Sequence, residues 1–199
     1  LTCLSLKKPE RHGRIEDPYQ RSFQRNTKKN EPSQRTIDNG RGKSIMSNTI
    51  DERLKALGVE LPTPTTPVAN YVPFVLSGGQ LFVSGQLPVI QGGEIFEGKV
   101  GADVDIETAQ RAARACAINI LAQVKAALGD LEKINRCLKV GGFVNTTPDF
   151  TSHPEVINGA SNLLREILGD RGAHARFAVG CASLPRNVPV EVDAIFAVS

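Results

Sequence analysis

Apolar residues recur at helical spacing between residues 105 and 128, at Ala109, Ala112, Ala113, Cys116, Ile120, Val124 and Leu128. Asp105 stands ahead of them as an N-cap and Gly129 follows at the C′ position, so the pattern predicts one long amphipathic helix. A second helical face, Val156, Ile157, Ala160, Leu163, Leu164 and Ile167, runs from about Pro154 to Leu168 and is stopped by Gly169. Elsewhere the period falls to two. Tyr71–Leu76, Leu81–Gln86 and Glu94–Phe96 read as three short strands, separated by turns at Ser77-Gly78-Gly79-Gln80 and Gln91-Gly92-Gly93. Further strands are predicted near Cys137–Asn145, over Arg176–Cys181 and over Val190–Val198. Leu54–Leu57 predicts a short N-terminal turn or helix, and Pro62, Pro64 and Pro67 an extended connection after it.

The order βββ-α-β-α-ββ predicts an α+β layer fold, a mostly antiparallel sheet with two helices packed on one face. The opposite face is the informative one. In Val190–Val198, the residues Val190, Val192, Ala194, Phe196 and Val198 alternate with Glu191, Asp193, Ile195 and Ala197. Leu81, Phe82 and Val83 are apolar on both sides. A partly apolar sheet face with no helix over it needs a partner, and a second copy of the chain is the simplest source of one.

Residues 1–45 hold neither period. They carry 11 Lys and Arg against 5 acids, whereas the other 154 of the 199 residues carry 13 against 16, a balance of −3. The basic character of the whole chain therefore belongs to this leader. The single Met, Met46, precedes the first amphipathic stretch, so residues 46–199 are expected to form one domain and 1–45 a disordered, non-native leader. A basic nucleic-acid arm and a mitochondrial transit peptide are the alternatives. Glu10, Glu16, Asp17, Glu31 and Asp38 count against the transit peptide. A secretory signal would need an apolar core that the segment lacks, and no apolar run is long enough to span a membrane.

Cys116, Cys137 and Cys181 form no CxxC pair and leave an odd count in the domain, which suits reduced thiols and a cytoplasmic location. His153 and His174 do not fall into a metal-ligand cluster, so neither a metal nor a cofactor is expected. Ser84 lacks a nucleophile elbow around it, and the glycine pairs lack a P-loop lysine.

The candidate chemistry lies in the last two strands. Alternation places Phe177, Val179 and Cys181 on one side of their strand and Arg176, Ala178 and Gly180 on the other, and the larger apolar set is assigned to the core. Arg176 is then expected on the helix-free face, beside Glu191 and Asp193 of the next strand. An arginine near a carboxylate in a partly apolar interface can grip a substrate carboxylate and position a water. The same pair can equally be a structural ion pair across the sheet, and spacing leaves both roles open.

These residues carry a further pattern. Ser84-Gly85-Gln86-Leu87-Pro88, Gly93-Glu94, Arg176, Leu184-Pro185 and Val190-Glu191-Val192-Asp193-Ala194-Ile195 together resemble the Rid/YjgF family, over about residues 68–198. Older names for that family are endoribonuclease L-PSP and translation initiation inhibitor. The resemblance implies a chorismate-mutase-like fold, a homotrimer with three clefts between subunits, and no metal or cofactor. It also implies hydrolysis of reactive enamines and imines, of the 2-aminoacrylate type, to 2-keto acids and ammonia. Arg176 and Glu191 would then be catalytic, Arg176 gripping the substrate carboxylate and Glu191 orienting the attacking water. Tyr71, Gly85, Asn158 and Ala178 would bind substrate, Gly85 through its backbone N–H and Ala178 as the cleft floor. The chain departs from the family at Ala178, where many members have Cys, in the second helix, which lacks their aromatics, and in a longer segment 147–156. These changes mark a divergent branch. A non-catalytic trimer that binds small carboxylates and an endoribonuclease are the other readings. The −3 balance of the domain and its lack of a basic stripe weigh against RNA as a partner.

Overall fold

The computed structural model describes residues 49–64, 70–90 and 92–199. All fall within one compact unit, Met46–Ser199, and the leader reading of residues 1–45 lies outside the described residues. Among the described residues, three α-helices and five strands follow one another as α1 (Ile50–Ala56), β1 (Phe74–Ser77), β2 (Gln80–Gln86), α2 (Ile106–Leu128), β3 (Ile134–Asn145), α3 (His153–Leu168), β4 (Ala175–Cys181) and β5 (Val190–Val198).

Local chemistry sets these boundaries. A capping box starts α1: the Thr49 side chain accepts from the Glu52 N–H, and the Glu52 carboxylate accepts from the Thr49 N–H at 2.8 Å. This box, four residues ahead of the expected turn, is why the helix begins at Ile50. The Asp105 side chain accepts from the Thr108 N–H at 2.7 Å and starts α2, which ends where Gly129 turns left-handed at φ 74°. Between β1 and β2, Gly78 and Gly79 both have positive φ, as a tight hairpin requires.

The sheet order is β1-β2-β5-β3-β4. Only β3 and β4 run parallel, joined through α3, and every other pairing is antiparallel. The α+β class and the mostly antiparallel sheet are as the sequence predicts. The third expected strand is reduced: around Glu94–Phe96 only an isolated bridge forms between Val89 and Ile95. Positive φ at Gly92 and Gly93 bends the chain there and leaves too short a run to pair.

The core lies between the sheet and α2 and α3. Leu81, Val83, Val140, Val144, Val192 and Phe196 of the strands meet Ala112, Cys116, Ile120, Ile157 and Leu164 of the helices. Among the described residues no helix covers the other face. There Val75 is 50%, Phe82 40%, Phe143 40% and Val179 43% exposed. Strand register makes these neighbours, since Val75 pairs with Phe82, Phe82 with Ile195, and Phe143 with both Glu191 and Val179.

The facing of β4 is the reverse of the sequence expectation. Arg176, Ala178 and Gly180 face α3, and Phe177 and Val179 face the open side. The reason is space. Here α3 lies so close that a Cβ on Gly142 would strike Ile157, and one on Gly180 would strike His153. At 142 and 180 only glycine fits beneath it without displacing those side chains, while Arg176 reaches the helix by hydrogen bonds, and the bulky pair goes outward, where Phe177 meets Phe143 edge-on with centroids 5.3 Å apart.

Candidate functional site

The predicted site residues fall into two groups. Arg176 enters the sheet edge on β4 and reaches up to α3. Its guanidinium donates to Asn158 Oδ1 at 2.9 Å, to Ser161 Oγ at 3.0 Å and to the Pro154 carbonyl at 3.2 Å. Asn158 and Ser161 lie three positions apart on α3 and so share a face. Pro154, in the first turn, belongs to the helix end whose early carbonyl is turned toward the strand. Of the five guanidinium N–H groups, three are used among the described residues, so two stay available to a planar anion. Ala178 follows on the same side of β4, packed against the core.

The second group lies on and beside the open face. Glu191 alternates with buried Val190 and Val192 and therefore points away from the helices. Gly85 presses against it: a Cβ at residue 85 would overlap the Glu191 carboxylate. The bulge of β2 between Val83 and Gln86 makes this approach possible. Burial, then the nearby Asp193 carboxylate, raises the Glu191 carboxyl above its ordinary range. Asp193 Oδ1 is itself buried without a hydrogen-bond partner among the described residues, in space left by Gly141. Tyr71, 57% exposed, lines with Gly85 a cleft of about 680 Å³ that also takes in Gln86, Asn119 and Arg186.

The chain thus brings Arg176 to Asn158 and Ala178, and Gly85 to Glu191 and Tyr71. It does not bring Arg176 to Glu191. They occupy opposite faces of one sheet, so the expected pairing of Arg176 with Glu191 and Asp193 on one face is corrected by the inverted facing of β4.

Ser161 and His174 have no place in the site expected from sequence, and the structure adds them. His174 Nδ1 lies 2.6 Å from the Gly172 carbonyl and Nε2 lies 3.0 Å from Ser161 Oγ. The two-residue spacing of His174, just ahead of β4, and Arg176 on it is a signal for this. The Ser161 link across α3 leaves no trace in the sequence. The thiols are chemically quiet: burial pushes Cys137 up to about 12 and raises Cys116 strongly.

Residues 51–197 match the family model described as "YjgF/chorismate_mutase-like, putative endoribonuclease". The chain belongs to the YjgF/chorismate-mutase-like family. Protein TCP17 of Trypanosoma cruzi is 45% identical over 152 residues, 76% of this chain and 95% of that protein. The crystal structure of Atu1372, a protein of unknown function from Agrobacterium tumefaciens, is 57% identical with a TM-score of 0.71, over 75% of this chain and 92% of that one. A Shewanella oneidensis structure described as a "putative endoribonuclease" is 35% identical with a TM-score of 0.73, over 76% of this chain and all (100%) of that one. For a YjgF-family chain, the sheet with α2 and α3 on one side is the shared frame, and the small residues under α3 are what fit it together here.

Proposed function

We propose that this chain hydrolyses reactive enamines and imines bearing a carboxylate, of the 2-aminoacrylate type, to 2-keto acids and ammonia, in clefts between the subunits of a homotrimer. The observation that carries the reading is the division of the site. One copy holds an arginine with two free N–H groups at its sheet edge. On its far side it holds a half-buried carboxyl with a raised proton affinity. Both halves can meet around one substrate only where two copies meet, and the uncovered apolar face supplies the reason for copies to associate.

In that cleft Arg176 grips the substrate carboxylate bidentately, with Asn158 and Ser161 fixing the plane of its guanidinium. The imine carbon is already electrophilic, so orientation supplies most of the acceleration. Water adds to the protonated imine while Glu191 takes a proton from the water, giving the neutral carbinolamine. Glu191 returns that proton to nitrogen, and as the C–N bond breaks the hydroxyl proton passes back to Glu191, leaving the keto acid and ammonia, which then carries that proton away as ammonium. Overall one water is consumed. A carboxyl whose proton affinity is raised by burial suits both transfers better than an ordinary one.

The test is keto-acid release in a coupled assay. An amino-acid oxidase generates the imine, and semicarbazide traps what is left unhydrolysed. The wild type is expected to accelerate hydrolysis, and Arg176→Ala to lower kcat/KM by about 10²-fold. Binding of keto acids with no turnover of any imine would replace this reading with that of a carboxylate-binding trimer.

A further inference from the structure

We infer that His174 is a positioning residue for Arg176: a neutral imidazole protonated on Nδ1 holds the Ser161 hydroxyl, and through it the guanidinium, and adding a second proton to the ring releases that hold. The inference rests on the reading that Arg176 grips a carboxylate, and it adds a control on that grip.

The polarity of the chain of bonds is fixed by chemistry. The Gly172 carbonyl can only accept, so His174 Nδ1 at 2.6 Å carries a hydrogen. In the neutral ring Nε2 is then a bare acceptor, and the Ser161 O–H 3.0 Å away donates to it. That turns the Ser161 lone pairs toward Arg176, whose N–H donates to the same oxygen at 3.0 Å. Carbonyl, imidazole, hydroxyl and guanidinium thus form one consistent run. Asn158 and the Pro154 carbonyl take two more guanidinium hydrogens and leave two free, so the Ser161 bond is the third anchor that fixes the tilt of the plane.

A second proton on the ring breaks the run. Nε2 becomes a donor, the Ser161 hydrogen loses its acceptor, and the two lone pairs of that one hydroxyl must serve both an imidazolium and a guanidinium, whose like charges loosen the Arg176 bond. The charged groups acting on His174 are Arg176 beside it on β4 and Arg165 on α3, both cationic, while Gly172 presents only its carbonyl. Burial, opposed by the Gly172 bond and aided by these two arginines, lowers the proton affinity of His174 below its ordinary value. The neutral ring therefore prevails at neutral pH, and the release belongs to acid.

The test uses the full chain and 2-oxobutanoate as probe, with its Kd measured between about pH 5 and pH 8. In the wild type, affinity is expected to weaken about 5-fold toward acid, the worth of one hydrogen bond. His174→Gln can donate to Gly172 and accept from Ser161 without titrating, so it should keep the neutral-pH affinity and lose the slope. Ser161→Ala should bind weakly at both ends with no slope. A slope that persists in both variants belongs to another group, Glu191 included, and overturns the inference. So does a flat wild-type profile. Affinity that rises toward acid would make the imidazolium a second anion-binding charge and also overturns it. If 2-oxobutanoate binds at no pH, the carboxylate reading fails by itself. The linkage is then decided by the ¹⁵N resonances of the Arg176 guanidinium, expected to shift at the His174 midpoint in the wild type and not in Ser161→Ala. Guanidinium signals that ignore that midpoint overturn it.

Discussion

Glu191 shows how a single residue carries both a cost and a use. Its carboxyl is half-buried between Gly85 and Asp193, and burial ahead of the like charge raises its proton affinity above the ordinary 4.5. The native state therefore binds more protons than the unfolded chain in the window above pH 4.5. Stability falls as pH rises through that window, and the penalty is complete once the pH exceeds the folded-state value. Glu191→Gln removes the charge and keeps the shape, so thermal melts at pH 7 should show a Tm a few degrees above wild type. The gain should shrink as the pH is lowered toward 4.5, where the wild-type group is protonated. The same variant should lose imine hydrolysis. A gain in stability bought with activity marks a functional carboxyl, and an unchanged Tm at both pH values would show that the carboxylate is well solvated or paired in the assembled protein.

Between elements, the decisive fact is how closely α3 approaches its neighbours. A Cβ on Gly159 would run into the backbone carbonyl of Gln110 on α2, and backbone cannot step aside as a side chain can. Across the same contact the Gln110 side chain donates to the Glu155 carbonyl at 2.9 Å. Gly159→Ala should therefore cost about 1–3 kcal/mol in denaturant unfolding. It should also weaken binding at Arg176, because α3 carries Asn158 and Ser161. An alanine variant as stable as wild type would mean that the two helices are free to part. Much of this architecture is legible in the sequence. Asp105, the apolar face to Leu128 and Gly129 state the long helix completely, and Pro154 and Gly169 bracket the second. What periodicity cannot say is which side of a strand faces inward when the helix above leaves room only for glycine and alanine. Size then inverts the ordinary rule: Phe177 and Val179 go out, Arg176 goes in, and the site is divided. Arg176 and Glu191 are singled out by strand alternation, whereas Asn158 and Gly85 are reached only by family resemblance. The Ser161–His174 bond joins residues 13 apart across two elements, and no spacing rule encodes it.

At the scale of the whole molecule, the open sheet face demands a partner. Val75, Phe82, Phe143 and Val179 together form an apolar surface in register across the sheet, with Phe177 and Ile195 filling in behind. Each half-exposed side chain gains about 1 kcal/mol when covered, and the buried Asp193 Oδ1 has no donor among the described residues of its own chain. Sedimentation equilibrium is expected to give three times the mass of one chain. Val75→Asp tests the link between assembly and activity, because β1 contributes no group to the chemistry and residue 75 is exposed enough to accept a carboxylate without unfolding the copy that carries it. That variant should sediment as smaller species, keep its far-UV circular dichroism and lose imine hydrolysis in proportion to the trimer lost. A dissociated variant that still turns over at the wild-type rate would require Arg176 and Glu191 to serve one substrate from opposite faces of a single sheet. The geometry of β4 and β5 forbids that, so the catalytic carboxyl would then have to be another group.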